Sequence, residues 1–118
     1  MPEENRAAPV PVHAVGGAPG SGKSALIARY AEAHPDWLGF VNRRVRDLPN
    51  LVLAPAGCPC CTGRVALQVA LARQLRERRP ARVHIEIPDP AHARQLAAVL
   101  SQWPLSRYVE PAEDVLLD

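Results

Sequence analysis

A chain of 118 residues suits one domain with a genuine core and is too short for two. Hydrophobic residues make up 47 % and charged residues 22 %, the balance of an ordinary globular protein, and a net charge of +2 is too small to imply a nucleic-acid partner. No apolar run approaches the roughly 18–20 residues of a membrane span, and Met-Pro-Glu-Glu-Asn-Arg lacks the pattern of a signal peptide, so a cytoplasmic protein without membrane contact is expected.

Two counts stand out. Proline is 13 of 118, about twice the usual share. The basic residues are all arginine except Lys23. Arginine and lysine trade places at little cost on a solvated surface but not at a site that uses their geometry, which draws attention to that one lysine.

Residues 1–9 are polar and proline-rich, and read as a flexible leader ahead of a single domain spanning 10–118. Val10 to Val15 reads as a buried strand, with Pro11 near its start because proline gives the ladder no donor. Lys23 to His34 reads as a helix stopped by Pro35, with Ala25, Leu26, Ile27, Ala28 and Ala31 apolar. Trp37 to Val41 is a second strand, Arg43 to Asn50 a polar irregular stretch, and Leu51 to Ala54 a third strand. Arg64 to Arg79 reads as a helix, its apolar side carried by Val65, Leu67, Val69, Leu71, Ala72 and Leu75, with arginines in its last turn and Pro80 beyond. The arginines from Arg73 to Arg82 read as a solvated helix end, since aromatics are few, and nucleic acid is not expected. Ala81 to Ile87 is another strand. Asp89-Pro90 caps a helix running to about Gln102, and Val115 to Leu117 is one more short strand. Strand–helix alternation predicts an α/β fold with a parallel sheet, right-handed crossovers and flanking helices, here truncated to three or four strands. Its unfinished edge makes a homo-oligomer reasonable.

Gly17-Ala18-Pro19-Gly20-Ser21-Gly22-Lys23-Ser24 fits the phosphate-loop pattern G-x-x-x-x-G-K-[S/T], with a strand before it and a helix after it. The glycines let successive amides turn toward phosphate oxygens, and the helix adds its positive end. Lys23 would reach the β- and γ-phosphates, and the Ser24 hydroxyl would ligate Mg²⁺. Such a site needs an acid at a neighbouring strand tip. Glu86 is the candidate; Asp47 in the polar loop is a second; Asp89 reads better as a helix cap. A P-loop NTPase-like sheet follows, with Lys23 and Glu86 as catalytic residues and GTP or ATP as the nucleoside triphosphate.

Cys58, Cys60 and Cys61 are the chain's three cysteines, packed into four positions. In a reducing compartment such a cluster reads as a metal site or a redox group. Three thiolates suit Zn²⁺ or another thiophilic ion and leave a coordination position open, which favours exchange over storage. The histidines are scattered: His13 and His84 read as packed residues, His34 and His92 as solvated helix ends.

Taken together, these residues resemble the CobW/HypB/UreG family of metallochaperone GTPases, most closely its CobW-like branch. The resemblance rests on Gly17 to Ser24, Phe40-Val41-Asn42, Gly57-Cys58-Pro59-Cys60-Cys61, and Ile85-Glu86 leading to Asp89-Pro90-Ala91, in that order from about Val10 to Leu100. It implies GTP and Mg²⁺ at Lys23 and Ser24, Glu86 as the acidic switch residue, Zn²⁺ or a similar ion at the three cysteines, and GTP hydrolysis that drives metal delivery to a client metalloprotein. The chain departs from that family in four ways. No glycine follows Glu86, no Asn-Lys-x-Asp sequence exists to read guanine, the first switch is shortened with Arg43 and Arg44 where acidic and small residues are usual, and the family's later strands and C-terminal domain are missing. The alternatives are a non-hydrolysing metal-binding module and a P-loop kinase or ATPase with structural or redox cysteines.

Overall fold

The computed structural model describes residues 8–55 and 63–117. In chain order the elements are β1 (Val10–Gly17), α1 (Lys23–Ala33), β2 (Trp37–Val41), β3 (Leu51–Leu53), α2 (Arg64–Arg78), β4 (Arg82–Glu86), a helical turn (Pro90–His92) leading into α3 (Ala93–Leu100), a second turn (Leu105–Arg107), β5 (Val109–Pro111) and β6 (Val115–Leu117). Pro11 is the second residue of β1, as its missing amide requires. β1 outlasts its apolar run by two glycines because Gly16 and Gly17 pair with Leu116 and Leu117. Arg79 closes α2 in the left-handed conformation, with its N–H on the Leu75 carbonyl.

The strands run in the order β3-β2-β4-β1-β5, with β6 also against β1, and every pairing is parallel. The sheet is therefore wider than the three or four strands expected. β5, which the sequence does not announce, shares its edge with the expected strand at Val115–Leu117. β5 and β6 lie along the same side of β1. Val12 faces Pro111 and Val15 faces Val115, so three steps along β1 match four along its neighbour. The pair is one edge strand broken by a bulge at Ala112–Asp114. Inside the bulge His13 Nδ1–H donates to the Glu113 carbonyl at 2.7 Å, and Ala112 N–H donates to the Val12 carbonyl at 2.9 Å.

Alternation along the strands sorts the core into two faces. Val12, Ala14, Val83 and Ile85 turn toward Leu67 and Leu71 of α2 and Leu96 and Leu100 of α3. Val15 and Val41 turn toward Ile27, Ala28 and Ala31 of α1. With right-handed crossovers the chain must leave β1 toward β2 across one face, and leave β4 toward β5 across the other. The point where the winding reverses lies between β1 and β4, and it is there, at the carboxyl ends of the strands, that an α/β sheet opens a crevice.

On α2 the packing corrects the expected face. Leu67 and Leu71 are buried and Leu75 packs against the same core, whereas Val65 and Val69 are 64 % and 56 % exposed. Residues two apart on a helix are about 200° apart, so the valines and leucines of this alternating run fall on opposite sides. The helix after Asp89 also ends earlier than expected, at Leu100 rather than Gln102. Asn50, read as part of an irregular loop, is buried. Its Nδ2 donates to the carbonyls of Ala31, His34 and Trp37 at 2.9, 3.2 and 2.8 Å, and so closes the end of α1 onto the start of β2. Gly39 is where α1 rides closest to the sheet: a Cβ there would collide with the Ile27 side chain. Among the described residues no helix is long and apolar enough to cross a membrane.

Candidate functional site

The loop between β1 and α1 begins at Gly17 and turns tightly, with Ser21 N–H on the Ala18 carbonyl at 3.0 Å. Gly22, at φ 92°, sets the backbone in the left-handed region just before α1, a conformation costly for any residue with a Cβ. The first intrahelical bond runs from Leu26 N–H to the Gly22 carbonyl, so the amides of Lys23, Ser24 and Ala25 have no acceptor within the helix. No side chain caps this end and no acidic residue lies in its first turn. The arrangement concentrates partial positive charge where the loop closes.

Lys23 is buried at the head of α1. Its Nζ donates to the Gly17 carbonyl at 2.9 Å and to the carbonyls of Ile87 and Pro88 at 3.2 and 3.4 Å. The lysine thus ties the start of its own loop to the segment leaving β4. The sequence's only signal for these two acceptors is Pro88, a residue with a carbonyl to offer and no amide.

Ser24 and Glu86 meet directly. Ser24 Oγ–H donates to Glu86 Oε1 at 2.5 Å, and the same oxygen accepts the backbone N–H of Asn42 at 3.0 Å. The pairing register explains the encounter. Val15 lies opposite Glu86 in the sheet, so the acid ends β4 at the level where β1 gives way to the glycine loop. Asn42 follows the last residue of β2, on the other side of β4. Three segments distant in sequence converge on one carboxylate, and two hard oxygens side by side are donors suited to Mg²⁺.

Other candidates lie elsewhere. Asp47 is not brought to Ser24 or Glu86; it is on the exposed loop after β2, its carboxylate 3.0 Å from Arg44. Asp89 caps the turn at Pro90–His92, as its sequence predicts, its carboxylate accepting the Ala91 N–H at 2.8 Å. Cys58, Cys60 and Cys61 lie outside the described residues. Pro55 and Gly63, which flank that segment, line a small pocket together with Asn42 and Glu86.

His13 and His84 are buried and His34 is exposed, as expected, whereas His92 is half-buried and not a freely solvated helix end. His13 and His84 stack in the interior with ring centres 5.2 Å apart, and Tyr30 and Trp37 pack around His84. Burial, reinforced by the positive charge of Arg82 and by His13 and His34, lowers the His84 pKa from 6.5 to about 3, so this imidazole stays neutral. Exposed His34 lies flat on the Trp37 ring at 3.6 Å, and Arg82 sits 4.4 Å from the same ring centre. This polar and aromatic cluster belongs to the α1 face of the sheet and serves packing.

No protein-family model matches the chain, and neither a curated protein nor a solved structure matches it.

Proposed function

We propose that the protein binds a purine nucleoside triphosphate, GTP or ATP, in a P-loop NTPase-like site at the head of α1, and that it handles a thiophilic metal ion. The observation that carries this reading is the Ser24–Glu86 pair. A serine directly after the loop lysine and an acid at the tip of the adjacent parallel strand share a hydrogen bond at the point where the sheet's winding reverses. In this reading Gly17, Ala18, Pro19, Gly20, Ser21 and Gly22 wrap the phosphate chain with backbone amides, and Lys23 exchanges carbonyl oxygens for phosphate oxygens. Ser24 and Glu86 hold Mg²⁺, which neutralises phosphate charge when bound. Cys58, Cys60 and Cys61 take Zn²⁺ or a similar ion for delivery to a client protein.

Coupling between the two sites has a physical route. Glu86 accepts from Asn42, and both line the pocket reached by the residues that flank the cysteine segment. A change at Glu86 on binding Mg²⁺ and nucleotide is felt where that segment is anchored. The resemblance to CobW-like GTPases supports the same assignment. Calorimetric titration with Mg·GTP and with Mg·ATP, on metal-free and zinc-loaded protein, tests it. Binding whose affinity depends on zinc is expected. Zinc affinity that is the same with and without nucleotide would remove the metallochaperone reading.

A further inference from the structure

We propose that the site recognises the diphosphate of its nucleotide and does not discriminate a third phosphate, so that nucleoside di- and triphosphates occupy it with similar affinity. This rests on the nucleotide reading above and concerns the segment from Glu86 to Pro90. A lysine in this loop pattern reaches the β- and γ-phosphates, so the atoms around its Nζ are the ones a third phosphate meets. Here they are oxygens: the carbonyls of Gly17, Ile87 and Pro88. The Lys23 ammonium serves the second and third phosphates alike, so selective capture of the third calls for further N–H groups aimed at it. The exit of β4 is poor in them. The Ile87 N–H is spent on the Val15 carbonyl at 2.9 Å. Pro88 and Pro90 carry no N–H at all. Asp89 has the one remaining amide, and its own carboxylate stands beside it, held by the Ala91 N–H at 2.8 Å. Carbonyl oxygens and a carboxylate repel an anion.

The loop after β2 offers little in compensation. Arg44 is paired with Asp47 and Arg46 with Glu32, which leaves Arg43 as the one guanidinium of that loop without an ion pair among the described residues. The first two phosphates, by contrast, have the loop amides and the head of α1.

Titration of the whole chain with Mg·GTP, Mg·GDP, Mg·ATP and Mg·ADP reads the ratio directly. For the preferred base, dissociation constants of di- and triphosphate within about threefold are expected. A triphosphate preference of roughly tenfold or more overturns the inference, because that is what one amide or guanidinium given to a charged oxygen is worth. Loss of that preference in Arg43→Ala would place the sensor on the β2 exit. Pro88→Gly adds an amide at an exposed position and should shift the ratio toward triphosphate by about five- to tenfold; an unchanged ratio would mean that the β4 exit does not face the third phosphate, and also overturns the inference. Silence with all four nucleotides removes the nucleotide reading itself, whereas binding with strong triphosphate preference removes only the inference.

Discussion

Replacing His84 by phenylalanine isolates one buried proton-binding site and shows how the interior sets the acid limit of the fold. His84 is 1 % exposed and packed among His13, Tyr30 and Trp37, with Nε2 lacking a hydrogen-bond partner among the described residues. Its pKa falls from 6.5 to about 3, first through loss of hydration and then through the positive charge of Arg82 and through His13 and His34. The unfolded chain therefore takes up this proton before the folded one does. Its contribution to stability is complete above pH 6.5 and is lost progressively as pH falls from 6.5 toward 3. Between pH 7 and pH 5 the loss works out at about 2 kcal/mol for this group alone. For a domain of this size that corresponds to a fall in Tm of about 6–10 °C. Phenylalanine keeps a planar aromatic ring, somewhat larger than imidazole, against Tyr30 and Trp37 but binds no proton. Urea unfolding followed by circular dichroism at pH 7 and pH 5, on wild type and His84→Phe, gives the difference. The variant should lose less stability across that interval by about 2 kcal/mol. Equal losses in the two proteins would refute the assignment of a neutral buried imidazole.

Asn50→Ala strips the partner from three carbonyls, those of Ala31, His34 and Trp37, and should cost about 2–3 kcal/mol in a denaturant titration. On α2, Leu71→Ala should cost about 2–5 kcal/mol while Val69→Ala stays within about 0.5 kcal/mol, a contrast that checks which side of the helix is buried. Ser24→Ala and Glu86→Gln should each weaken nucleotide binding by about tenfold in the presence of Mg²⁺ and change it little in the presence of a chelator; an equal loss under both conditions would mean that the pair does not serve the metal.

The sequence marks some parts of this molecule sharply. Trp37 to Val41 is legible because Pro35 and the polar stretch after Val41 bracket five residues that pair on both sides. The loop from Gly17 to Ser24 is legible because its chemistry demands fixed residue types at fixed steps. β5 is not, since Val109-Glu110-Pro111 has neither length nor alternation and exists only because β1 offers it a ladder. The exposed side of α2 misleads for a related reason: a run with a large apolar residue at every second position, Val65, Leu67, Val69 and Leu71, offers an apolar surface on both sides of a helix, and only contact with the sheet decides between them. Asn50 is invisible because its value depends on carbonyls of α1 and β2 that the chain brings together later. Asp47 is attractive by position along the chain, but its neighbour Arg44 takes its charge at the surface.

The placement of Glu86 follows from packing rather than from any local preference for acid. Val83, Ile85 and the following Ile87 fill the α2–α3 side of the core. Because side chains alternate along a strand, that commits Arg82, His84 and Glu86 to the α1 side. Arg82 then lies over Trp37 at the start of the strand, His84 stacks on His13 in its middle, and Glu86 emerges where α1 begins. A slip of β4 by one residue would bury Arg82, His84 and Glu86 among Leu67, Leu71 and Leu96 and withdraw the carboxylate from Ser24. The hydrophobic register of one five-residue strand therefore holds the acid of the candidate site in place, and substitutions that disturb Val83 or Ile85 should displace Glu86 from Ser24 without touching either residue.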